Sequence, residues 1–465
     1  MGSIKGPLSM GNHFSSYAPL QKMLDLSSGQ TKLSKEEATI RVEPISVLNG
    51  LNGDQNLRQE VKNALYSQST AAKIWGVALR ALSKSEPPLM YPEYTFPCGR
   101  EYVDSSYEFW TSGFFPGCLY LLYERQRRWP LQVAQRPHPL KLRHAMDWWT
   151  TNLHSQALRL DTHDLGFMIQ PWAQLGWQLD EDLQCRNSLI TAAYSLASRF
   201  NPKVGAIRSW DTCVTKRYSF QDASKNFLVI IDNMMNIDLL YHASTITGDQ
   251  RLAEIATTHA LTSMKAHVRE DNSTCHVVDF DADTGQMRSR MTNQGYSDES
   301  CWTRGQAWGI AGFAQAYRRT QDSRFLDTSK RLADYFLKRL SEDNIPFWDF
   351  DAPQPGPKDT SAALIAAYGM ILLYEADTSS RTYLEAAFRI LFAVVTTSMS
   401  LEASFVTTSV GDEDVDLGDG LETIVMHATI NNYEFAPRRW SDHGLVYADY
   451  YFLSIGNKLL EMGLI

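Results

Sequence analysis

The chain has 465 residues, of which 44% are hydrophobic and 11% aromatic, and its formal net charge is −9. This composition supplies ample core material, and the lack of a Lys/Arg block argues against nucleic acid as a partner. No apolar run reaches the ~20 residues of a membrane-spanning helix, which argues against a membrane partner as well.

The start of the sequence lacks the apolar segment of a signal peptide, and the six cysteines stand singly without a CxxC pair. Both features are typical of a reducing compartment, so we expect a cytoplasmic protein. Residues 1–53 are rich in Gly, Ser and Pro, which predicts a loosely ordered N-terminal arm. We expect a single catalytic domain to follow over residues 54–465.

Helical spacing dominates this domain, because apolar residues recur three and four positions apart while alternating strand patterns are scarce. The pattern predicts twelve helices, near residues 56–83, 111–127, 139–155, 165–178, 184–200, 233–246, 249–267, 299–320, 323–340, 359–376, 380–398 and 443–461.

Short links with helix stop and start signals, such as Thr247-Gly248-Asp249 and Asp322-Ser323, join several of these helices. Short links imply antiparallel hairpins, and twelve helices in six hairpins fit an all-α fold, the (α/α)6 barrel. In such a barrel the long connections converge on one central cavity. They are predicted at residues 84–110, 201–226, 268–298, 341–358 and 399–442.

Two aspartates stand where a helix begins. Asp164 opens the fourth predicted helix, and Asp232 follows the apolar run Phe227 to Ile231 and precedes two methionines. Asp232 could cap its helix, which would lower its pKa, or act as a buried acid in apolar surroundings, which would raise it. At the fourth helix, either Asp161 or Asp164 is a cap and His163 is exposed, or Asp164 accepts hydroxyl hydrogen bonds beside the reacting bond.

A third cluster is the segment from Trp302 to Trp308, with Arg304 between the two tryptophans. Tryptophan faces stack on sugar rings and an arginine fork matches a carboxylate, so this trio suits a flat acidic sugar. The alternative is that both tryptophans are core residues and that Arg304 pairs with a buried acid such as Asp298. Trp110 could likewise be a sugar platform or a packing residue.

Signals for other chemistries are poor, since the sequence has no HExxH, GxGxxG, GxSxG or P-loop motif. The acidic stretch from Gly411 to Asp419 resembles a calcium loop but has Leu417 and Thr423 where an EF-hand needs Gly and Glu. We therefore interpret it as a solvated loop, and if the protein is an enzyme, paired carboxylates must perform the reaction.

Five motifs in register resemble the unsaturated glucuronyl hydrolases, family 88 of the glycoside hydrolases. They are THDLGF, VIIDNMMNIDLLYHAS, CWTRGQAWGIAGFAQAYR, KDTSAALIAAYGMILL and DHGLVYADYYFL. The resemblance runs from about Trp110 to Leu453 and implies the barrel that the helix pattern predicts. It also implies a 4,5-unsaturated uronic acid as substrate, hydration of the C4=C5 double bond as the reaction, and no metal or organic cofactor.

The resemblance assigns roles to individual residues. Asp232 matches the general acid and base, and Asp164 matches the second catalytic aspartate that holds the sugar hydroxyls. The matched substrate-binding residues are Trp110, His163, His276, Gln294, Trp302, Arg304 and Trp308. Two stretches, residues 279–283 and 432–439, do not match sugar contacts of the family, so specificity beyond the first ring stays open.

Three other functions compete with this interpretation. The barrel and its acid pair could hydrate, eliminate or cyclise a small metabolite, or the protein could be an unsaturated rhamnogalacturonyl hydrolase. A barrel that only binds sugars is disfavoured, because binding alone gains little from an acid in apolar surroundings.

Overall fold

The computed structural model describes residues 55–407, 413–418, 420–436 and 439–465. The N-terminal arm predicted for residues 1–53 and the start of the acidic loop at Gly411 and Asp412 lie outside the described residues. All described residues belong to one compact unit.

Helices account for most of the described chain. They are α1 (Gln55–Leu65), α2 (Gln68–Leu82), α3 (Phe114–Arg128), α4 (Pro139–Thr150), α5 (Leu165–Asp180), α6 (Leu183–Ala197), α7 (Asn233–Asn236), α8 (Asp238–Thr247), α9 (Gln250–Ala266), α10 (Thr303–Thr320), α11 (Ser323–Arg339), α12 (Thr360–Ala376), α13 (Arg381–Thr397) and α14 (Val446–Glu461). A 3-10 helix at Leu153–Leu158 follows α4.

The helices form two concentric rings. Inner helices contact one another in the closed order α3, α5, α7 with α8, α10, α12, α14 and back to α3. The outer helices α4, α6, α9, α11 and α13 each pack on the inner helix that precedes them, and α1 packs on α14 and α13. The fold is therefore the predicted (α/α)6 barrel. Its sixth helix pair consists of α14 in the inner ring and α1 in the outer ring.

Hydrophobic patterning decides which ring a helix joins. The inner helix α12 is apolar all round and is buried along nearly its whole length. The outer helix α11 buries one stripe, including Phe325, Leu332 and Phe336, and exposes a charged face. Aspartates cap several outer helices as their sequences predict: the Asp249 and Asp322 carboxylates accept backbone N–H bonds at the starts of α9 and α11.

Two predicted helices are divided in the structure. The segment 56–83 breaks after α1, where Ser67 caps α2 by accepting a bond from the Thr70 N–H. The segment 233–246 is divided into α7 and α8 at Ile237. Both breaks leave the helix order of the barrel unchanged.

Short strands occupy connections that the sequence pattern left irregular. They are β1 (Met90–Thr95), β2 (Tyr102–Ser106), β3 (Phe200–Asn201), β4 (Ala206–Ile207), β5 (Cys213–Val214), β6 (Ser219–Phe220), β7 (Asn226–Ile230), β8 (Val277–Asp281), β9 (Met287–Met291), β10 (Ser404–Thr407) and β11 (Glu413–Asp416).

The strands β7, β8 and β9 form one antiparallel sheet, in which Phe227 lies opposite Phe280 and Ile230 opposite Val277. β7 is buried from Phe227 to Ile230, so it reads as a continuous apolar run without the alternation that marks a half-exposed strand, and the sequence pattern missed it for this reason. β8 has only five residues and carries Asp279 and Asp281 among its apolar residues, so it gives no clear pattern either. The β7 strand ends directly before α7, so the sheet fixes where α7 begins.

Two inner-helix glycines hold the short helix α7 in place. A Cβ atom on Gly166 of α5 would lie 2.5 Å from the Asn236 Cα, and one on Gly312 of α10 would lie 2.5 Å from the Met234 Cβ. Such distances are below van der Waals contact, so both flanking helices approach α7 as closely as their backbones allow. The segment that begins at Asp232 is thereby clamped between α5 and α10.

We predict that Gly312→Ala lowers the free energy of unfolding by about 1–3 kcal/mol, because the added methyl group overpacks a rigid backbone contact. Helix propensity alone would favour alanine by up to ~1 kcal/mol, so a loss reports the clash. Urea unfolding measures it. Gly76→Ala is the control, since its Cβ would meet side-chain atoms alone, Leu417 Cδ2 at 3.2 Å and Val415 at 3.5 Å and 3.7 Å. Equal or higher stability of Gly312→Ala would contradict the clamp.

Candidate active site

Asp232 stands at the junction between the sheet and the inner ring. The Ile231 N–H donates to the His276 carbonyl at 3.0 Å, which extends the pairing of β7 with β8 by one residue. The sheet register therefore brings the side chains of Asp232 and His276 together, with Oδ2 and Nε2 separated by 3.7 Å. The Asp232 side chain makes no capping bond to α7.

Burial sets the acidity of Asp232. The residue is only 9% exposed, and Oδ2 has no hydrogen-bond partner among the described residues. Burial raises its pKa from the ordinary 3.8 to about 7, an effect reinforced by Asp164 and opposed by the Arg304 charge, then by the backbone N–H of Asp232 and least by the Trp308 N–H. The direction is that expected of a sheltered acid and opposite to that of a helix cap.

Asp164 lies in a similar environment at the start of α5. Its side chain makes no capping bond to the helix, and Oδ2 accepts a bond from the Thr162 hydroxyl at 3.2 Å. Burial raises its pKa to about 7, against the lowering effects of Thr162, Arg199, Arg159 and Asn236. His163 is buried, so the alternative of an exposed histidine beside a capping aspartate is wrong.

A buried histidine accompanies each aspartate. His163 Nε2 lies 3.3 Å from Asp164 Oδ1, and its Nδ1 lies 2.9 Å from the Ser209 carbonyl oxygen. His276 Nδ1 lies 3.2 Å from the Asn293 backbone nitrogen. Burial lowers the pKa of His163 to about 3 and that of His276 well below its ordinary value, so both rings are neutral at pH 7.

Arg304 is held by the protein itself. Its Nη1 donates to Asp359 Oδ2 at 2.9 Å and to the Thr429 carbonyl at 2.6 Å, and its Nη2 donates to the Ile430 carbonyl at 2.6 Å. The alternative that Arg304 pairs with a buried acid is confirmed, but the acid is Asp359. The example Asp298 was wrong, because that carboxylate binds Tyr218 and Arg217. These bonds leave the Nε–Nη2 edge of Arg304 as the side on which a ligand carboxylate could bind.

The two tryptophans of the trio lie deeper than a sugar platform would. Trp308 is fully buried, with the rings of Phe167 and Tyr451 centred 5.2 Å and 5.5 Å away, so the expected stacking of a sugar on Trp308 has no open face. Its Nε1 has no partner among the described residues. Trp308 therefore offers an N–H donor to a ligand and to the nearby carboxyl group of Asp232.

Trp302 is also almost fully buried. The Arg304 guanidinium lies over its ring at 4.6 Å, and the His276 ring is 4.5 Å away. A Cβ on Gly305 would meet the Trp302 ring at 2.8 Å, so this glycine makes room for the indole. Trp302 thus packs against Arg304 and His276 and holds both side chains in position.

The two remaining predicted contacts are partly exposed. Trp110 packs on Phe167 and Tyr447 at centroid distances of 5.6 Å and 5.2 Å and keeps part of its surface open. Gln294 donates at 3.4 Å to the Ile430 carbonyl, the same carbonyl that accepts from Arg304 Nη2. Of the predicted site residues, these two and Asp164 have the partial exposure that a sugar contact needs.

Sequence reasoning missed three residues that shape the site. Asp359 caps α12 through Oδ1 and holds Arg304 through Oδ2, and Ser209 fixes His163. Tyr447 lies beneath Arg304 with its hydroxyl unpaired among the described residues. An aspartate directly before an apolar helix was a visible cap signal for Asp359, whereas Ser209 has no local signal.

Among the described residues, no cluster of three or more His, Cys, Asp or Glu side chains is arranged to hold a metal ion. No helix in the same part of the chain is long and apolar enough to cross a membrane.

No protein-family model matches the chain. Similar proteins and solved structures nevertheless carry closely related names. An unsaturated glucuronyl hydrolase of Formosa agariphila is 33% identical over 349 residues, 74% of this chain and 78% of that protein. An unsaturated chondroitin disaccharide hydrolase of Streptococcus agalactiae is 32% identical over 350 residues, 74% of this chain and 79% of that protein. The crystal structure of an unsaturated glucuronyl hydrolase specific for heparin is 30% identical with a TM-score of 0.72, covering 89% of this chain and 99% of that one.

We predict that Asp232→Asn stabilises the fold at alkaline pH. The pKa of the Asp232 carboxyl is about 7 in the folded protein and is lower in the unfolded chain, so folding favours the protonated form. The resulting stabilisation is fully present below the pKa of the unfolded chain and is lost as the pH rises through 7. The amide does not ionise, so its advantage in unfolding free energy should grow to about 2–4 kcal/mol by pH 8.

Urea unfolding of the variant and the wild type at pH 5 and pH 8 measures this difference. The control is Asp283→Asn, whose carboxylate is 85% exposed and should change stability little at either pH. An advantage of Asp232→Asn that does not depend on pH would show that the Asp232 pKa is ordinary.

Proposed function

The chain belongs to the unsaturated glucuronyl hydrolases, and from this membership we propose that it removes a 4,5-unsaturated uronic acid from the non-reducing end of oligosaccharides made by polysaccharide lyases. The protein is a hydrolase of the glycosidase class. The observation that carries the proposal is Asp232, a buried carboxyl with a raised pKa beside a second one, at the junction of inner ring and sheet.

The proposed reaction begins with proton transfer from Asp232 to C4 of the double bond. Positive charge develops at C5 and is shared with the ring oxygen, and water then adds to C5 while the Asp232 carboxylate takes up its proton. The resulting hemiketal collapses, the ring opens, and the remaining oligosaccharide leaves. Asp232 ends the cycle protonated, so one residue serves as both acid and base.

This double role needs a pKa near the working pH. An acid with an ordinary pKa near 4 would be almost fully ionised at neutrality, and a much weaker acid would donate its proton too reluctantly. A pKa of about 7 keeps a large fraction of Asp232 protonated near neutral pH and lets its carboxylate accept the proton back.

Asp164 is proposed to hold the hydroxyl groups of the unsaturated ring. It lies close enough to Asp232 to raise the pKa of that carboxyl, and its raised pKa lets it be neutral when an anionic sugar arrives. A neutral carboxyl keeps oxygen lone pairs that accept hydrogen bonds from sugar hydroxyls.

Several buried donors around Asp232 await a ligand with oxygen atoms. Trp308 Nε1 and His276 Nε2 have no hydrogen-bond partner among the described residues. An unpaired buried donor costs about 1–3 kcal/mol, so these groups favour binding of an oxygen-rich molecule. The Arg304 guanidinium adds a positive charge suited to the carboxylate of a uronic acid.

The identity of the leaving oligosaccharide is a separate question. The relatives carry names that refer to chondroitin and to heparin. The stretch 432–439 of this chain has no predicted sugar contact. A panel of unsaturated disaccharides from hyaluronan, chondroitin, heparin, alginate and pectin tests the range, because hydration removes the ultraviolet absorbance of the double bond. A cytoplasmic location and chemistry without a cofactor stay predictions.

We predict that Asp232→Asn lowers kcat on the best substrate of this panel by about 10²- to 10⁴-fold, the usual contribution of a positioned general acid. Loss of ultraviolet absorbance over time measures it. The matched control is again Asp283→Asn, an exposed aspartate that should retain full activity. Near-wild-type turnover by Asp232→Asn would exclude Asp232 as the acid, and no absorbance loss on any disaccharide would favour a small-metabolite substrate.

A further inference from the structure

The hydrogen bonds around the two active-site histidines fix their tautomers. His163 Nδ1 faces the Ser209 carbonyl oxygen at 2.9 Å, and a carbonyl can only accept, so Nδ1 of the neutral ring carries the hydrogen. Its Nε2 therefore presents a lone pair toward Asp164 Oδ1. Ser209 is held in turn by the sheet, since its hydroxyl accepts a bond from the Ile230 N–H.

His276 has the opposite tautomer. The Asn293 backbone N–H donates to Nδ1 at 3.2 Å, and a backbone nitrogen can only donate, so the hydrogen of the neutral ring is on Nε2. This N–H points at Asp232 Oδ2 from 3.7 Å, slightly beyond hydrogen-bond length. Both atoms lack another partner among the described residues.

The lone pair of His163 is unsatisfied if Asp164 is ionised. Two acceptors, Nε2 and Oδ1, would then face each other at 3.3 Å in a buried site, and Nε2 has no other partner among the described residues. A proton on Oδ1 turns the clash into a hydrogen bond and leaves Oδ2 to accept from Thr162 and from a sugar hydroxyl.

The N–H of His276 has the converse effect on Asp232. It favours Oδ2 as the acceptor oxygen of the carboxyl group. When Asp232 is protonated, the proton is then carried by Oδ1, the oxygen that His276 does not face.

We propose that two neutral histidines of opposite tautomer set the proton positions of the acid pair: His163 keeps Asp164 protonated, and His276 directs the transferable proton of Asp232 to Oδ1. Both act as positioning residues, since each works through its aspartate. This inference rests on the proposed function, because only that function makes the Asp232 proton the one transferred to the substrate. Its test does not require a measurement of turnover.

Other groups also bear on these protons. Asp164 faces Thr162 and Asn236, feels the positive charges of Arg199 and Arg159, and interacts with Asp232. Asp232 faces Arg304 and Trp308 besides His276 and Asp164. All of these except the repulsion between the two carboxylates favour ionisation. Burial favours protonation of both carboxyl groups, and the lone pair of His163 Nε2 adds an acceptor that favours protonation of Asp164.

The first experiment uses the full-length wild-type protein with 15N-labelled histidine. Nitrogen chemical shifts distinguish an N–H from a lone-pair nitrogen, and His163→Gln and His276→Gln assign the signals. We expect the hydrogen on Nδ1 of His163 and on Nε2 of His276 throughout the neutral pH range. The same tautomer in both rings, or a protonated ring, would overturn the proposal.

The second experiment follows the 13C carboxyl signals of labelled aspartate during titration. His163→Leu should lower the midpoint of Asp164, and His276→Leu should raise that of Asp232, each by about 0.5–1 pH unit for one lost hydrogen-bonding interaction. His163→Gln keeps an acceptor oxygen near Asp164, and His276→Gln keeps an N–H donor near Asp232, so both variants should restore the wild-type midpoints.

Shifts in the same direction, or no shift, would show that the histidines only fill space. If the leucine variants do not fold, the wild-type tautomers alone decide the matter. Failure of the proposed function would instead appear as inactivity on every disaccharide with the tautomers and midpoints as described.

Discussion

Exclusion of water from two carboxyl groups is the constraint on which the rest of this structure depends. A closed double ring of helices surrounds Asp232 and Asp164, and burial alone would shift their pKa values even further than it does. The barrel offsets this with the charge of Arg304 at Asp232, with the charges of Arg199 and Arg159 at Asp164, and with hydroxyl, amide and indole donors. The pKa values near 7 are the balance of these opposing effects, which makes them sensitive to small movements of the segment that carries Asp232.

The charge that moderates Asp232 needs a support of its own. Arg304 is 1% exposed, and a buried guanidinium without partners would be strongly destabilising. Asp359 and two backbone carbonyls surround it, and Asp359 is itself fixed at the start of α12 by its capping bonds. The polar groups of the site thus form one network, in which the end of one inner helix orients an arginine of its neighbour and thereby the acid.

The sequence predicted the barrel well because helix order depends on patterns that are local. Apolar spacing and caps such as Asp249 lie within a few residues of the helices they define. The pairing of β7 with β8 joins residues about 50 positions apart and left no local sign, so neither the sheet nor the meeting of Asp232 with His276 could be derived from spacing. Burial of Trp308 was misjudged for a similar reason, since an indole looks the same in a sequence whether its faces meet a sugar or Phe167.

The most direct test of the account is a crystal structure of the Asp232→Asn variant with an unsaturated disaccharide bound. The account predicts that the side chain at position 232 lies within about 3–3.5 Å of C4, the distance of a reaction-ready contact, with the sugar hydroxyls on Asp164. A disaccharide whose C4 faces Asp164, or one that binds away from both residues, would contradict it.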